Sequence, residues 1–275
     1  TYAFDFEWSN RQFAYGAYKR TRSYFSNSEM EAKDLPDSAE RALLEPLRGK
    51  IPDEVFTAAY DPPATDGSGN LRENLTKAVK ILNEAGWVAG PDGVRSKGGV
   101  RLDFEFLDDN PAFERWILPF TKNLNRIGVK ARYRVIDPAQ YQSRIRDFDF
   151  DMTVGVFPQS NSPGNEQREF WGAQKADMPG SRNLIGVKDP AVDALIDKIV
   201  SAPTREDLVI RCRALDRVLQ WGHYVVPNWH ISAWRVAWWD RFGRPETPPP
   251  YGLPVAETWW MKSPPPQPGP LPAPK

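Results

Sequence analysis

NLNRIGVKARYRVIDPAQYQSRIRDFDFDM (123–152) decides the fold. It opens on the end of a helix, because Gly128 follows the last apolar turn. VKARYRVID (129–137) reads as a strand with one basic face. Asp137 followed by Pro138 is a helix start, so the spacing predicts a short helix over 137–147. FDFDMTVGVF (148–157) alternates again and predicts a second strand. Upstream, Leu102, Phe104 and Phe106 alternate with polar residues, as a half-buried strand requires. A helix over 111–129 has Pro111 in its first turn. Pro119 inside it predicts a kink there or a later start. Strands and helices in this order predict an α/β layered domain.

The flanks extend the same pattern. Ser9 is a cap for a helix through Phe13, Ala14, Ala17 and Tyr18, and 38–48 is a short helix before Gly49. Residues 52–70 carry three prolines and read as irregular. LRENLTKAVKILNEAG (71–86) is the clearest helix, with Leu71, Leu75, Ala78, Val79 and Leu82 on one face. VRSKGGVRL (94–102) reads as a hairpin. Asp189-Pro190 starts a helix that ends near 203, and Thr204-x-x-Asp207 starts another over 204–222. Residues 225–243 read as two short strands. No internal repeat is visible.

Composition removes several classes of function. Lys+Arg and Asp+Glu are equal at 36, so no global field draws in nucleic acid. Cys212 is the only cysteine and there are two histidines, which excludes an intrachain disulfide and a cysteine-rich metal cage. No metal or cofactor is expected. No apolar run approaches the roughly 20 residues of a membrane span. The start, TYAFDFEWSN, has no Met and no charged leader, and reads as a processed piece that begins inside an element. Seven of the 11 tryptophans lie between 221 and 260, either as core or as a wall for a ligand or partner. KSPPPQPGPLPAPK (262–275) is an extended proline-rich tail.

The stretch 123–152 has the form of a helix ending in I-G-V, a strand, D-x-x-x-Y and F-D-F-D. It is followed by D-P-x-V-D-x-L-I, T-R-E-D and V-V-P-N-W, and preceded by A-V-K-I-L-N-E-A-G-W. This series resembles the second lobe of the large periplasmic solute-binding proteins of the dipeptide/oligopeptide family, family 5. AFDFEWSNRQFAYGAYKRTRSYFSNSE, QSNSPGNEQREFWG, SRNL and RVAWWDRFGRP resemble its YejA-like branch. The resemblance implies a class II, two-lobed periplasmic-binding-protein fold of which this chain is the C-terminal half. Residues 1–230 are then the second ligand-binding lobe. Residues 231–260 are a hinge crossover that packs on the first lobe, and 261–275 are the tail. It further implies a receptor in the Gram-negative periplasm that binds peptides between lobes. Its partners would be the N-terminal lobe, as the rest of the protein or a separate chain, and an ABC permease, with no nucleic acid.

The segment VGVFPQSNSPGNEQREFWG (154–172) is the candidate contact region. A loop this long and polar after a strand is often functional. Gln159, Ser160, Asn161, Ser162, Asn165 and Gln167 offer both donors and acceptors, as a peptide main chain needs. A solvated or self-bonded loop is the plain alternative. In the family an aspartate from this region pairs with the peptide amine. None stands here before Asp177, which leaves Glu166 as the nearest carboxylate. Trp171 and Trp8 are candidates to cover a ligand side chain, and Arg182 with Asn183 to hold a carboxylate. Arg20, Arg22 and Tyr24 are candidates for the opposite rim. Two other functions compete. Asp108 with Asp109, or Asp149 with Asp151 on one strand face, is a possible glycosidase pair. No nucleophile-elbow, phosphate-loop or zinc-protease motif accompanies it. A sugar receptor of the same fold would show aromatic platforms rather than amides.

Overall fold

A computed structural model describes residues 1–249 and 252–262. Most of the proline-rich tail (261–275) lies outside the described residues. The chain divides into two compact units, Thr1–His230 and the segment from Ile231 onward.

The first unit begins with α1 (Phe6–Ala14), β1 (Lys19–Arg20), α2 (Ser38–Leu44), α3 (Glu54–Thr57) and α4 (Arg72–Glu84). A small antiparallel sheet follows: β2 (Val88–Ala89), β3 (Arg95–Lys97) and β4 (Val100–Arg101). The central layer is β5 (Asp103–Asp108), α5 (Glu114–Arg126), β6 (Lys130–Val135), α6 (Pro138–Arg146) and β7 (Met152–Thr153). Its three strands are parallel in the order β6-β5-β7, with Phe106 opposite both Tyr133 and Met152. Then come α7 (Glu166–Trp171), α8 (Pro190–Val200), α9 (Arg205–Trp221) and β8 (Trp229–His230), which pairs antiparallel with β1.

The caps read from sequence act as caps. Asp137 accepts from Gln140 N at 3.0 Å, Asp189 from Ala191 N at 2.8 Å and Thr204 from Asp207 N at 3.1 Å. Each such cap contributes about 1 kcal/mol. Gly128 turns the chain from α5 into β6 with φ +83°, and a Cβ there would stand 2.7 Å from Gly93 O. The basic face of β6 is neutralised in register: Lys130 and Arg132 reach Asp103, and Arg134 reaches Glu105.

Four expectations need correction. The first helix starts a turn earlier, because Asp5 rather than Ser9 accepts from Trp8 N, and Ser9 is buried within the helix. A 3-10 turn takes Pro111–Phe113, so α5 begins at Glu114 and continues through Pro119. The strand over 148–157 shrinks to Met152–Thr153, since Phe148 has φ +55° and breaks the extended run. A helix, α7, stands inside what reads as loop.

Two cores hold this unit. One is helical: Trp171, Leu195, Ile196, Leu215 and Leu219 pack with Phe25, Met30 and Leu44. The other joins Phe4, Phe6, Leu71, Leu75, Trp116 and Phe120 beside the parallel sheet. The residues 23–32 are tied to α9 by Asp216, which is fully buried. Its carboxylate accepts from Ser23 Oγ, Tyr24 N, Ala32 N and Gln220 Nε2 at 2.6–2.9 Å. Arg217, one residue on, pairs with buried Glu40 at 2.5 Å.

The second unit contains β9 (Phe242–Gly243), α10 (Val255–Thr258) and β10 (Trp260–Met261). β9 and β10 pair antiparallel, and Gly243 lies under the Trp260 ring, where a Cβ would come within 2.4 Å. Trp234 and Trp239 are each 75% exposed and Trp260 is 53% exposed.

Candidate functional site

The first unit carries an open cavity of about 810 Å³. It follows β7 and the chain that leaves the C-terminal end of that strand, residues 154–157 and Gln159. Facing walls come from residues within 21–26, from 184–186 and from 223–230. In open α/β sheets the C-terminal ends of parallel strands are where ligands bind. Beyond Thr153 the chain adds no further rung to the sheet among the described residues, and 154–157 line the cavity.

The lining is chiefly apolar and aromatic, with few charges. Trp229 stacks on Trp116 at 4.0 Å and on Tyr18 at 5.8 Å, so its faces are engaged by neighbouring rings. His223 and His230 line one wall, and burial lowers both imidazoles below their ordinary value, which keeps them neutral at pH 7. Two carboxylates reach the lining, Asp151 and Asp177. Asp151 accepts from Glu105 N at 2.8 Å, and Asp177 pairs with Lys188. Behind the wall, Arg20 is buried with Phe4 and Phe6 rings 4.9 and 5.5 Å from its guanidinium carbon. Burial lowers it to about 10 despite the opposing pull of Glu7 and Asp5.

Of the residues singled out from sequence, the structure brings Gln159, Arg22, Tyr24 and Asp151 to this cavity. Arg22 pairs with Asp61 at 3.2 Å on the exposed rim. Tyr24 stands edge-on to Trp171 at 4.9 Å, and burial raises its hydroxyl above the ordinary value.

The others lie elsewhere. Trp171 is fully buried in the helical core, so no ring face is left for a ligand. Asn183 is also fully buried; its side chain bonds Gly172 O, Val187 O and Val187 N, and thus holds a turn rather than a ligand carboxylate. Arg182 lies 4.2 Å over the Phe170 ring, away from the cavity. Trp8 packs edge-on to Phe13 and covers Gly69. Glu166 accepts from Gly164 N at 2.9 Å and closes its own turn. Ser160 accepts from Ser162 N, Asn161 O accepts from Arg205, and Asn165 stands at the start of α7, none of them on the cavity.

Three of the candidate glycosidase carboxylates, Asp149, Asp151 and Asp108, hold partners within the protein. Asp149 is held by Arg144 at 2.9 Å, before the strand begins. Asp108 is buried, bonding Asp109 N, Asn110 N and the Tyr133 hydroxyl. The residues missed from sequence are Tyr60, Asp177 and the 223–230 wall, and Asp151 stands in the sequence reading only as half of a glycosidase pair. The 223–230 wall carries a signal in its polar His223, Asn228 and His230 among apolar and aromatic residues.

No helix among the described residues is long and apolar enough to cross a membrane. The chain is 44% identical over 260 residues to a protein of Agrobacterium fabrum named "Probable peptide-binding protein YejA", covering 94% of this chain and 42% of that protein. Among solved structures it is similar to the oligopeptide-binding protein AppA from Bacillus subtilis in complex with a nonapeptide. That match has 17% identity and a TM-score of 0.57, over 95% of this chain and 46% of the other. It is also similar to the mannohexaose-bound periplasmic oligopeptide-binding protein of Thermotoga maritima, with 16% identity and a TM-score of 0.58, over 85% of this chain and 40% of the other. The chain thus spans less than half the length of these proteins, and its first unit has the α/β fold of a lobe of the periplasmic-binding type. The sequence pattern of the family described as "Bacterial extracellular solute-binding proteins, family 5 Middle" matches residues 1–178, and the chain belongs to that family, in its YejA-like branch.

Proposed function

We propose that the first unit is one wall of a peptide-binding cleft in a receptor that serves an ABC importer in the Gram-negative periplasm. The observation that carries this is the cavity edged by residues 154–157 and Gln159. Main-chain N–H and C=O groups that leave a sheet beside a cavity are the kind of groups to which an extended peptide adds. Apolar walls then receive alternate side chains. Asp151 and Asp177 are the carboxylates within reach of a ligand amine. A sugar reading draws on the mannohexaose complex of the Thermotoga maritima protein. It is less well supported, since Trp116 and Trp229 stack on each other instead of presenting an open platform.

The facing wall belongs to a first lobe, and the lobes close around the ligand as a hinge. Residues 231–260 reach that lobe and cover their exposed tryptophans against it. Native mass spectrometry of the intact native protein, followed by denaturing release of its small molecules, tests the reading. Released short peptides support it; released oligosaccharides, or no peptide captured from a defined mixture, overturn it.

A further inference from the structure

One indole sets the polarity of two amide side chains at the cavity wall. Trp171 Nε1 is a donor only, and it bonds Gln167 Oε1 at 3.1 Å. That choice turns the Gln167 amide nitrogen toward Gln159, where it donates to Gln159 Oε1 at 2.5 Å. Both Trp171 and Gln167 are fully buried, so neither exchanges its partner for bulk water. Gln159 is left one way round, with its oxygen engaged and its nitrogen unengaged. This nitrogen is covered from solvent and has no acceptor among the described residues. Gln159 itself lines the cavity. A covered donor without a partner is unfavourable, and an acceptor that meets it as the Gln159 amide shifts toward the cavity relieves it.

We infer that Gln159 donates to a carbonyl or carboxylate oxygen of the bound ligand, and that Gln167 and Trp171 are positioning residues that hold it in the donor orientation. This rests on the cavity being the ligand site. The directionality excludes a ligand group that can only donate, such as an ammonium. A peptide carbonyl only accepts, so this one bond satisfies it. A sugar hydroxyl oxygen can accept the same bond, but its own O–H then needs a further acceptor.

The test uses the intact native protein with tetra-alanine and mannohexaose as probes, followed by calorimetry. Gln159→Glu puts an acceptor where the donor stood and is expected to weaken tetra-alanine at least tenfold. Gln159→Leu, which only removes the bond, is expected to weaken it less. Gln167→Met frees the Gln159 amide, and is expected to shift its side-chain nitrogen and proton resonances in the unliganded protein, which a role confined to packing leaves in place. Equal tetra-alanine binding by wild type, Gln159→Glu and Gln159→Leu overturns this inference and leaves the peptide reading standing. A wild type that binds mannohexaose but not tetra-alanine, or neither, overturns both.

Discussion

At the scale of single residues, burial decides which polar groups hold the fold and which remain for a ligand. Asp216 is the clearest structural case. Burial raises its carboxyl to about 7, although Ser23, Ala32 and Tyr24 pull it back by hydrogen bonding. An unfolded aspartate releases its proton near pH 4, at about 3.9. Between that value and about 7 the native state therefore binds more protons than the unfolded state. This group's contribution then falls as pH rises through that window. Urea unfolding from pH 4.5 to 8 is expected to show that slope, and Asp216→Asn to flatten it. The substitution also leaves donors facing an amide nitrogen, with an expected loss of about 2–4 kcal/mol at pH 6. An unchanged unfolding midpoint would show that the hub carries little. Asn183→Ala separates fold from site in another way. It strips three buried backbone groups of their partner. We expect a stability loss of about 2–4 kcal/mol, with peptide affinity unchanged in the protein that remains folded. A selective loss of affinity would return Asn183 to the binding surface.

At the scale of elements, legibility followed local chemistry. α6, α8 and α9 could be read because Asp137, Asp189 and Thr204 satisfy the first-turn N–H groups within their own segments. α7 has no side-chain cap at Asn165 and spans six residues. It exists because Gln167, Phe170 and Trp171 bury against a distant core, a cause absent from its own sequence. The Phe148–Asp149–Phe150–Asp151 alternation has strand periodicity, yet Arg144 and Glu105 N engage its two aspartates before any ladder forms. Site residues followed the same rule. Gln159, Arg22 and Tyr24 were recognisable by type and loop position, whereas the 223–230 wall depends on β8 pairing with β1 across the chain. Pro119 is a local cost that tertiary packing of α5 overrides. Pro119→Ala restores a donor to the helix interior, offset in part by a freer unfolded chain. We expect a net gain of about 1–2 kcal/mol, read as a higher melting temperature; a decrease would mean the proline shapes the helix for packing.

At the scale of the whole molecule, the second unit bears the least satisfied surface. Trp234, Trp239 and Trp260 stand exposed, as do Val236 and Met261. Exposed apolar patches drive association. The chain by itself is expected to self-associate at raised concentration in sedimentation velocity, and Trp234→Ser with Trp239→Ser to reduce this severalfold without altering the unfolding of Thr1–His230. Association that persists in the double variant would place the adhesive surface elsewhere. The Asp216 hub has a consequence in time. Its partners Ser23 and Ala32 precede it by 193 and 184 residues. A ribosome adding about 5–20 residues per second needs roughly 10–40 s to make that interval. Throughout it the segment around Ser23 has emerged without the carboxylate that will organise it. Residues 23–32 therefore lack their organising partner until α9 is complete, so a factor that binds unfolded chains is expected to bind that segment during the interval.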